Sequence, residues 1–379
     1  MNFDILTPKR IIFGCGEFNR LGELLDGFGK RIFVVCSPSA VLNGLFDRLN
    51  GQKHNSELRL YVIPKGEPSP ESVDDAVMHA KAFAADAVLG MGGGSAIDTA
   101  KAVSGLVTNQ GGVEDYLEGV GCGRVLINDP VSLIAVPTTS GTGAEATKNA
   151  VISSSKKQYK KSFRSDKLMP ALALIDPELT ESVPQKVTAF CGMDAITQLI
   201  ESYTSTKSNM FIKRISLDAI KRIPSLLRAY EDPFDINART DMAYCALMSG
   251  IALANGGLGA AHGFAAGIGA CSNISHGEAC AILLPHVMRL NLEVALDDYA
   301  SIGEVLCGKK DSRMESALSA VTYIEEMNKR LSIPADFKSY DILADAQTVA
   351  AASMGGSMNG NPVKMDIESG ALFLEDLFK

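Results

Sequence analysis

"VLGMGGGSAIDTAKAV" (residues 88–103) reads as a strand, a glycine turn and a helix in immediate succession. Gly92, Gly93 and Gly94 let the backbone turn tightly and approach a ligand. From Ser95 onward a helix N-terminus offers unpaired N–H groups and a partial positive charge. A pyrophosphate is the guest such a turn suits. The motif is neither GxGxxG nor a Walker loop: no GK[ST] follows, and Asp98 stands where a Walker loop has no use for a carboxylate. The plain alternative is a tight turn whose glycines serve packing alone.

"IAVPTTSGTGAEAT" (134–147) repeats the arrangement, with Thr138, Thr139, Ser140, Thr142 and Thr147 around two glycines after a second apolar run. Hydroxyls and free amides at the carboxyl end of a parallel strand are where open α/β sheets hold ligands, so two such loops favour a dinucleotide site over turns that merely cap helices. Other short apolar runs, "RIFVVCS" (31–37), "RLYVIP" (59–64), "DAVLGMG" (86–92), "SLIAVP" (132–137) and "ALALID" (171–176), are mostly continuous rather than strictly alternating. That is expected of parallel strands covered on both faces. Ser69-Pro70-Glu71 marks a helix start ahead of "SVDDAVMHAKAFAA". The first strand closes on Ser37, Pro38 and Ser39 with no carboxylate before Asp47, which tolerates NADP as well as NAD.

From about residue 184 the texture changes. Ala- and Leu-rich stretches at helical spacing occupy 186–206, 209–230, 236–256, 258–270, 277–292, 296–307 and 313–330. The expected architecture is therefore an α/β dinucleotide-binding domain with a parallel sheet over 1–180, followed by an all-helical domain over 181–379 that carries metal and substrate. The 379 residues are too many for one compact core, which agrees with two domains. Hydrophobic residues make up 46% and charged residues 21%, the balance of a globular enzyme rather than a disordered chain. A net charge of −8, no Trp and only 6% aromatics argue against nucleic acid as partner. Eight scattered cysteines without CxxC, and a start lacking the layout of a signal peptide, point to a reducing cytoplasm. "SGIALANGGLGAAHGFAAGIGACSN" is apolar and long, but its Gly, Asn255 and His262 suit a buried helix pair better than a membrane span.

Histidine occurs only at 54, 79, 262, 276 and 286. His54 and His79 sit in polar surroundings. His286 reads as a satisfied core histidine or a supporting group. His262 and His276 flank "GFAAGIGACSNIS", nearly free of polar side chains. Upstream, "GMDAITQLIES" (192–202) puts Asp194, Gln198 and Glu201 on one helical face. An acid and two histidines on apolar helices point toward a divalent metal, although a lone histidine of this kind is more often structural.

The segments GGGSAIDTAK, PTTSGTGAE, GMDAITQLIES and HGFAAGIGACSNISHG with the following LLPHVM resemble the iron-containing (group III) alcohol dehydrogenase family, in order and spacing, over nearly the whole chain. The resemblance implies an N-terminal dinucleotide domain, a C-terminal helical domain, and a cleft in which a divalent metal meets the nicotinamide. By position it makes Asp194, Gln198, His262 and His276 the metal positions. The catalytic residues, acting through the metal, would be Asp194, His262 and His276. Ser37, Gly92, Gly93, Gly94, Ser95, Asp98, Thr138, Thr139, Thr142, Thr147 and Lys160 become the cofactor positions, for NAD or NADP. Two departures stand out: the family pattern has histidine where this chain has Gln198, and another where it has Ala266. Glutamine is a weak neutral donor. Either three ligands and water hold the metal, iron or zinc, or Gln198 coordinates through its carbonyl oxygen.

The expected activity is reversible hydride transfer between NAD(P)H and a small aldehyde or ketone. With Ala266 unable to carry a proton, that proton falls to water, the cofactor ribose or a hydroxyl chain. Lys148, Lys160 and Arg164 add positive charge near the cofactor. A dehydroquinate-synthase-like lyase and a nucleotide-binding protein without turnover stay as rivals. "DILTPKRIIFG" (4–14) is expected to form an edge strand pair that joins two subunits as a homodimer.

Overall fold

The computed structural model describes residues 2–154, 156–157 and 159–379. Two compact units emerge, one comprising Leu6–Thr139 and Gly143–Val183, the other Ser140–Thr142, Pro184–Lys379 and the residues up to Ile5.

The first unit contains β1 (Ile11–Phe13), α1 (Leu21–Leu25), β2 (Arg31–Cys36), α2 (Pro38–Leu42), α3 (Leu45–Asn50), β3 (Glu57–Val62), α4 (Pro70–Phe83), β4 (Ala87–Gly92), α5 (Gly94–Val107), β5 (Ser132–Pro137), β6 (Asn149–Ser154), β7 (Tyr159–Arg164) and β8 (Leu172–Ile175). Six strands form a sheet in the order β1-β8-β5-β4-β2-β3, and every neighbouring pair is parallel. β4 and β8 are buried along their whole length, and β2 and β5 all but their first residue. That burial is why their sequences run continuously apolar. β3, at the edge, alternates and stays half-exposed. α4 begins at a capping box between Ser69 and Ser72, with Pro70 at its first position.

The chain passes from β3 back across β2 to reach β4, so the strand order reverses between β2 and β4. Their carboxyl ends lie side by side: Cys36 pairs with Met91, and Ser37 N donates to Met91 O at 3.1 Å. A reversal of this kind opens the crevice in which doubly wound sheets bind ligands.

The second unit is built from α6 (Gln185–Thr204), α7 (Met210–Ile220), α8 (Ser225–Glu231), α9 (Ile236–Gly256), α10 (Ala260–Cys271), α11 (His276–Asn291), α12 (Leu296–Cys307), α13 (Arg313–Arg330), α14 (Ala346–Ser353) and α15 (Ile367–Phe378). Its core gathers Met193, Ile196, Phe264, Ile282 and Tyr299 among many others. Among the described residues it contains no strand. Among the described residues no single helix is long and apolar enough to cross a membrane; α9 and α10 pass such a test only as a pair, and they are bent by 98° at the break between them.

Two sequence expectations need correction, and one strand pair was not anticipated. The stretch 209–230 is two helices, broken between Ile220 and Ser225, where Pro224 lacks the N–H a continuous helix needs. Of 4–14, only Ile11–Phe13 is strand, and it pairs in parallel with β8 at the sheet edge instead of forming a strand pair of its own. The antiparallel pair β6–β7 had no counterpart in the sequence reading.

Candidate functional site

The nucleotide loops come first in the chain. Gly92 has φ of 152°, and a Cβ there would lie 2.7 Å from Ser37 Oγ and 2.8 Å from Ala96 Cβ. A side chain is therefore excluded on two grounds, conformation and space. A Cβ on Gly93 would stand 3.4 Å from Thr139 Oγ1, which places the threonine loop against the glycine turn. Gly93 precedes α5, and no side chain caps that helix, so its first amides face the turn. Thr138 N donates to Gly92 O at 2.9 Å and fixes the second loop beside the first. Ser37 Oγ accepts from Ala40 N at 3.2 Å and lies 3.2 Å from Ser39 Oγ. Glycines without side chains, beside hydroxyls and uncapped amides, fit a pyrophosphate.

Other expected cofactor residues face a different task. Lys101 is fully buried, and its Nζ donates to Thr147 Oγ1 at 2.7 Å, Asn149 O at 2.8 Å and Asp98 Oδ1 at 3.4 Å. Asp98 Oδ2 accepts from Val151 N at 3.0 Å. This network ties α5 to β6. Burial raises the Asp98 pKa and lowers that of Lys101, each against the pull of the other's charge. Glu145, in the same loop, is pushed up to about 7 by burial, against its own backbone amide and Lys101. Lys160 forms an ion pair with Glu67. Thr142 belongs to the short segment that groups with the helical unit.

In the helical unit, three helices converge on a small polar cluster. Asp194 comes from α6, His262 from the first turn of α10, and His276 opens α11. His262 Nε2 lies 3.2 Å from Asp194 Oδ1, and His276 Nε2 3.8 Å from the same oxygen. The imidazoles meet edge-on with ring centres 5.5 Å apart. Close backbone packing makes this possible: a Cβ on Gly277 would stand 2.2 Å from Phe190 O and 3.4 Å from Asp194 Cβ. Glycine at 277 lets α11 lie directly on α6.

Two residues that the sequence reading did not place in the site complete it. Glu201 accepts from Ala261 N at 2.6 Å through Oε1, and its Oε2 takes the Nδ1–H of His262 at 2.6 Å. One buried carboxylate thus caps α10 and turns the His262 ring so that Nε2 faces Asp194. Burial works against charge on His262, yet Cys280, Asp194 and Glu201 outweigh it and hold the imidazole well above its ordinary pKa. The Nε2 proton has to leave before that nitrogen can bind a cation. Cys280, one turn after His276, brings its Sγ to 3.7 Å from His276 Nε2. Burial pushes its thiol up to about 11. The ligand atoms of Asp194, His262, His276 and Cys280 all lie within 4.8 Å of one another. A carboxylate, two imidazoles and a thiol this close are a donor set that fits a divalent cation.

Gln198 is buried one turn after Asp194, and its Oε1 accepts from Ser249 Oγ at 2.6 Å. Ala266 sits one turn beyond His262 on α10. The remaining histidines lie elsewhere: His286 Nε2 donates to Ala335 O at 2.8 Å, His54 Nδ1 to Ser56 O at 2.8 Å, and His79 lies 3.7 Å from Asp75. Glu201 was visible on the Asp194 face, and Cys280 follows His276 at i+4. The partners of Glu201, however, are on another helix, α10.

The chain is similar to known proteins over most of its length. Residues 8–177 match the family described as iron-containing alcohol dehydrogenase, and residues 188–371 match the C-terminal part of the same Fe-containing family. The chain is 32% identical to the NAD-dependent methanol dehydrogenase of Bacillus methanolicus, covering 88% of each chain. It is also 32% identical to the NADPH-dependent butanol dehydrogenase of Clostridium saccharobutylicum, covering 88% of this chain and 86% of the relative. The crystal structure of a 1,3-propanediol oxidoreductase superposes with a TM-score of 0.91 over 100% of both chains, at 27% identity. The chain belongs to the iron-containing alcohol dehydrogenase family.

Proposed function

We propose that this protein is a metal-dependent, NAD(P)-linked alcohol dehydrogenase that interconverts a small alcohol and its aldehyde. The observation that carries the reading is the cluster of Asp194, His262 and His276, the first two buried and the third partly so. Those three residues hold the metal. The glycine turn at Gly92–Gly94, with Ser37, Ser95, Thr138, Thr139 and Thr142, holds the dinucleotide, while Asp98, Thr147 and Lys160 support it from the network around Lys101 and Glu67. Residues 1–180 would thus form the cofactor domain and 181–379 the metal and substrate domain. Bound in place, a divalent cation supplies a Lewis acid for the carbonyl oxygen and the nicotinamide exchanges the hydride.

The chain's own residues do the rest. Asp194 contributes the negative charge that balances a cation in an apolar helical core. Glu201 keeps the proton on His262 Nδ1 and so leaves Nε2 as the donor. Oxidation of an alcohol would also release the hydroxyl proton, which has to be taken up in the site. Ala266 has no atom to take that proton, which leaves it to water, the cofactor ribose or a hydroxyl chain.

The relatives' names range from methanol through butanol to sulfoacetaldehyde, so substrate size and charge vary around one chemistry. Three basic residues of the nucleotide unit already hold carboxylates: Lys148 with Asp166, Lys160 with Glu67, Arg164 with Glu118. That favours an uncharged alcohol over the sugar acid a dehydroquinate-type lyase needs. Ser37 and Ser39 place no carboxylate at the end of β2, which suits both NAD and NADP. We also infer a cytoplasmic homodimer without a nucleic-acid partner, from the acidic net charge and the edge position of β1.

The deciding measurement is NAD(P)H oxidation against a panel of short aldehydes, on protein reconstituted with iron(II) or zinc. We expect turnover that a chelator abolishes and added metal restores. Bound nucleotide and bound metal with no turnover on any aldehyde would sink the proposal.

A further inference from the structure

The family pattern has a histidine at the position of Gln198, and something has to replace that donor if the metal is to be held as firmly. We propose that the thiolate of Cys280 is a ligand of the metal, completing Asp194, His262 and His276. The inference rests on reading those three residues as a metal site. Its support is geometric. Cys280 is completely buried, and its sulfur belongs to the group of donor atoms that lie within 4.8 Å of one another. Donors sharing one tetrahedral zinc ion are about 3.3–3.6 Å apart, given bonds of about 2.3 Å to sulfur and 2.0–2.2 Å to nitrogen or oxygen. The separations here are 3.7 Å for Cys280 Sγ to His276 Nε2, 3.2 Å for His262 Nε2 to Asp194 Oδ1 and 3.8 Å for His276 Nε2 to Asp194 Oδ1. These three bracket that edge length, and the remaining pairs lie within 4.8 Å.

The placement has a local cause. His276 and Cys280 are separated by one helical turn on α11, and residues at i and i+4 share a face. α11 lies on α6 through Gly277, which aims that face at Asp194. Gln198 meanwhile gives its carbonyl oxygen to Ser249, whose own carbon frame is fully buried on α9. A neutral amide oxygen already accepting a hydrogen bond is the weakest donor of the set, and a thiolate the strongest.

Coordination breaks the S–H bond. The proton leaves to solvent, the sulfur lone pair passes to the cation, and no oxidant is needed. Zinc accepts a fifth donor, so four protein ligands are compatible with turnover. A sulfur ligand also favours zinc over iron(II), in a family named for iron.

X-ray absorption at the zinc edge of wild-type protein loaded with one zinc per chain tests this without any substitution. We expect one sulfur neighbour at about 2.3 Å. In Cys280→Ser the sulfur signal disappears and zinc affinity falls about tenfold or more, with iron(II) affinity less affected. The cobalt(II) form should lose its near-ultraviolet sulfur-to-metal charge-transfer band in the same variant. A first shell of nitrogen and oxygen alone, at full zinc occupancy, overturns Cys280 as ligand and leaves the other three in place; the 3.7 Å contact is then only a thiol hydrogen bond. Failure of the wild-type protein to bind one metal per chain overturns the site itself and this proposal with it.

Discussion

At the scale of single residues, the site depends on a group that needs no contact with a metal. Glu201 accepts from the backbone of Ala261 and from His262 Nδ1 at once. Glutamine at 201 keeps the shape but offers one oxygen instead of two. If that oxygen caps α10, the amide N–H₂ faces His262 and forces the opposite tautomer, with its proton on Nε2; if it serves His262, the Ala261 amide meets another donor. Either arrangement damages the site. We expect Glu201→Gln to lower metal affinity by about 10–100-fold, the range for losing the partner of a ligating histidine. Competition for zinc against a chromophoric chelator measures this, and affinity within twofold of wild type would remove Glu201 from its positioning role. None of this was legible from spacing. Asp194, His262 and His276 stand out because charged and imidazole groups are rare in apolar helices. Glu201 was visible on the same face, but its partner lies sixty-one positions along the chain. Gln198 was conspicuous as a departure, whereas its bond to Ser249 depends on how α6 meets α9.

Among the elements, legibility followed burial. Strands covered on both faces announce themselves as unbroken apolar runs, and the sheet's four inner strands, β2, β4, β5 and β8, were all found that way. β7 was not, because "YKKSFR" buries only Phe163 and spends Lys160 and Arg164 on carboxylates. α14 and α15 were missed for a related reason: both are short and follow a polar, proline-containing loop that breaks the helical rhythm. Packing between elements is invisible to periodicity altogether, and Gly277 is the case with a consequence. A methyl group there would be driven to 2.2 Å from Phe190 O, a backbone atom that cannot swing aside. We expect Gly277→Ala to separate α11 from α6, costing about 1–3 kcal/mol of stability as overpacking does. It should also weaken metal binding more than that loss explains, since His276 and Cys280 both ride on α11. Thermal denaturation and metal titration on the same preparation check it; a destabilised variant with unchanged metal affinity would show that the helix contact does not set the site.

For the whole molecule, stability carries a pH signature that begins in the nucleotide unit. Asp98, Lys101 and Glu145 are ionisable groups held among α5, β6 and the threonine loop. Lys101 has its three acceptors, and Asp98 has Lys101 and Val151 N. Glu145 depends on its own amide and the more distant Lys101 charge, so burial dominates and its pKa rises to about 7 from an ordinary 4.5. The sign follows from proton linkage. Below the unfolded value both states are protonated, and burial of the neutral acid costs little. As pH climbs toward 7 the unfolded chain gives up the proton while the folded chain keeps it, so the folded state loses ground. Above the folded value both are ionised and the cost is at its full size, about 3 kcal/mol. A glutamine at 145 has nearly the same volume and no charge to bury. We therefore expect Glu145→Gln to be more stable than wild type at pH 8, with the advantage shrinking through pH 7 and gone near pH 4.5. Chemical denaturation of both proteins across that range, without nucleotide, gives the difference directly, because the other carboxylates titrate equally in each. An advantage that is constant with pH, or a variant weaker at pH 8, would mean that Lys101 neutralises Glu145 in place and that the loop carries an ion pair instead of a buried acid.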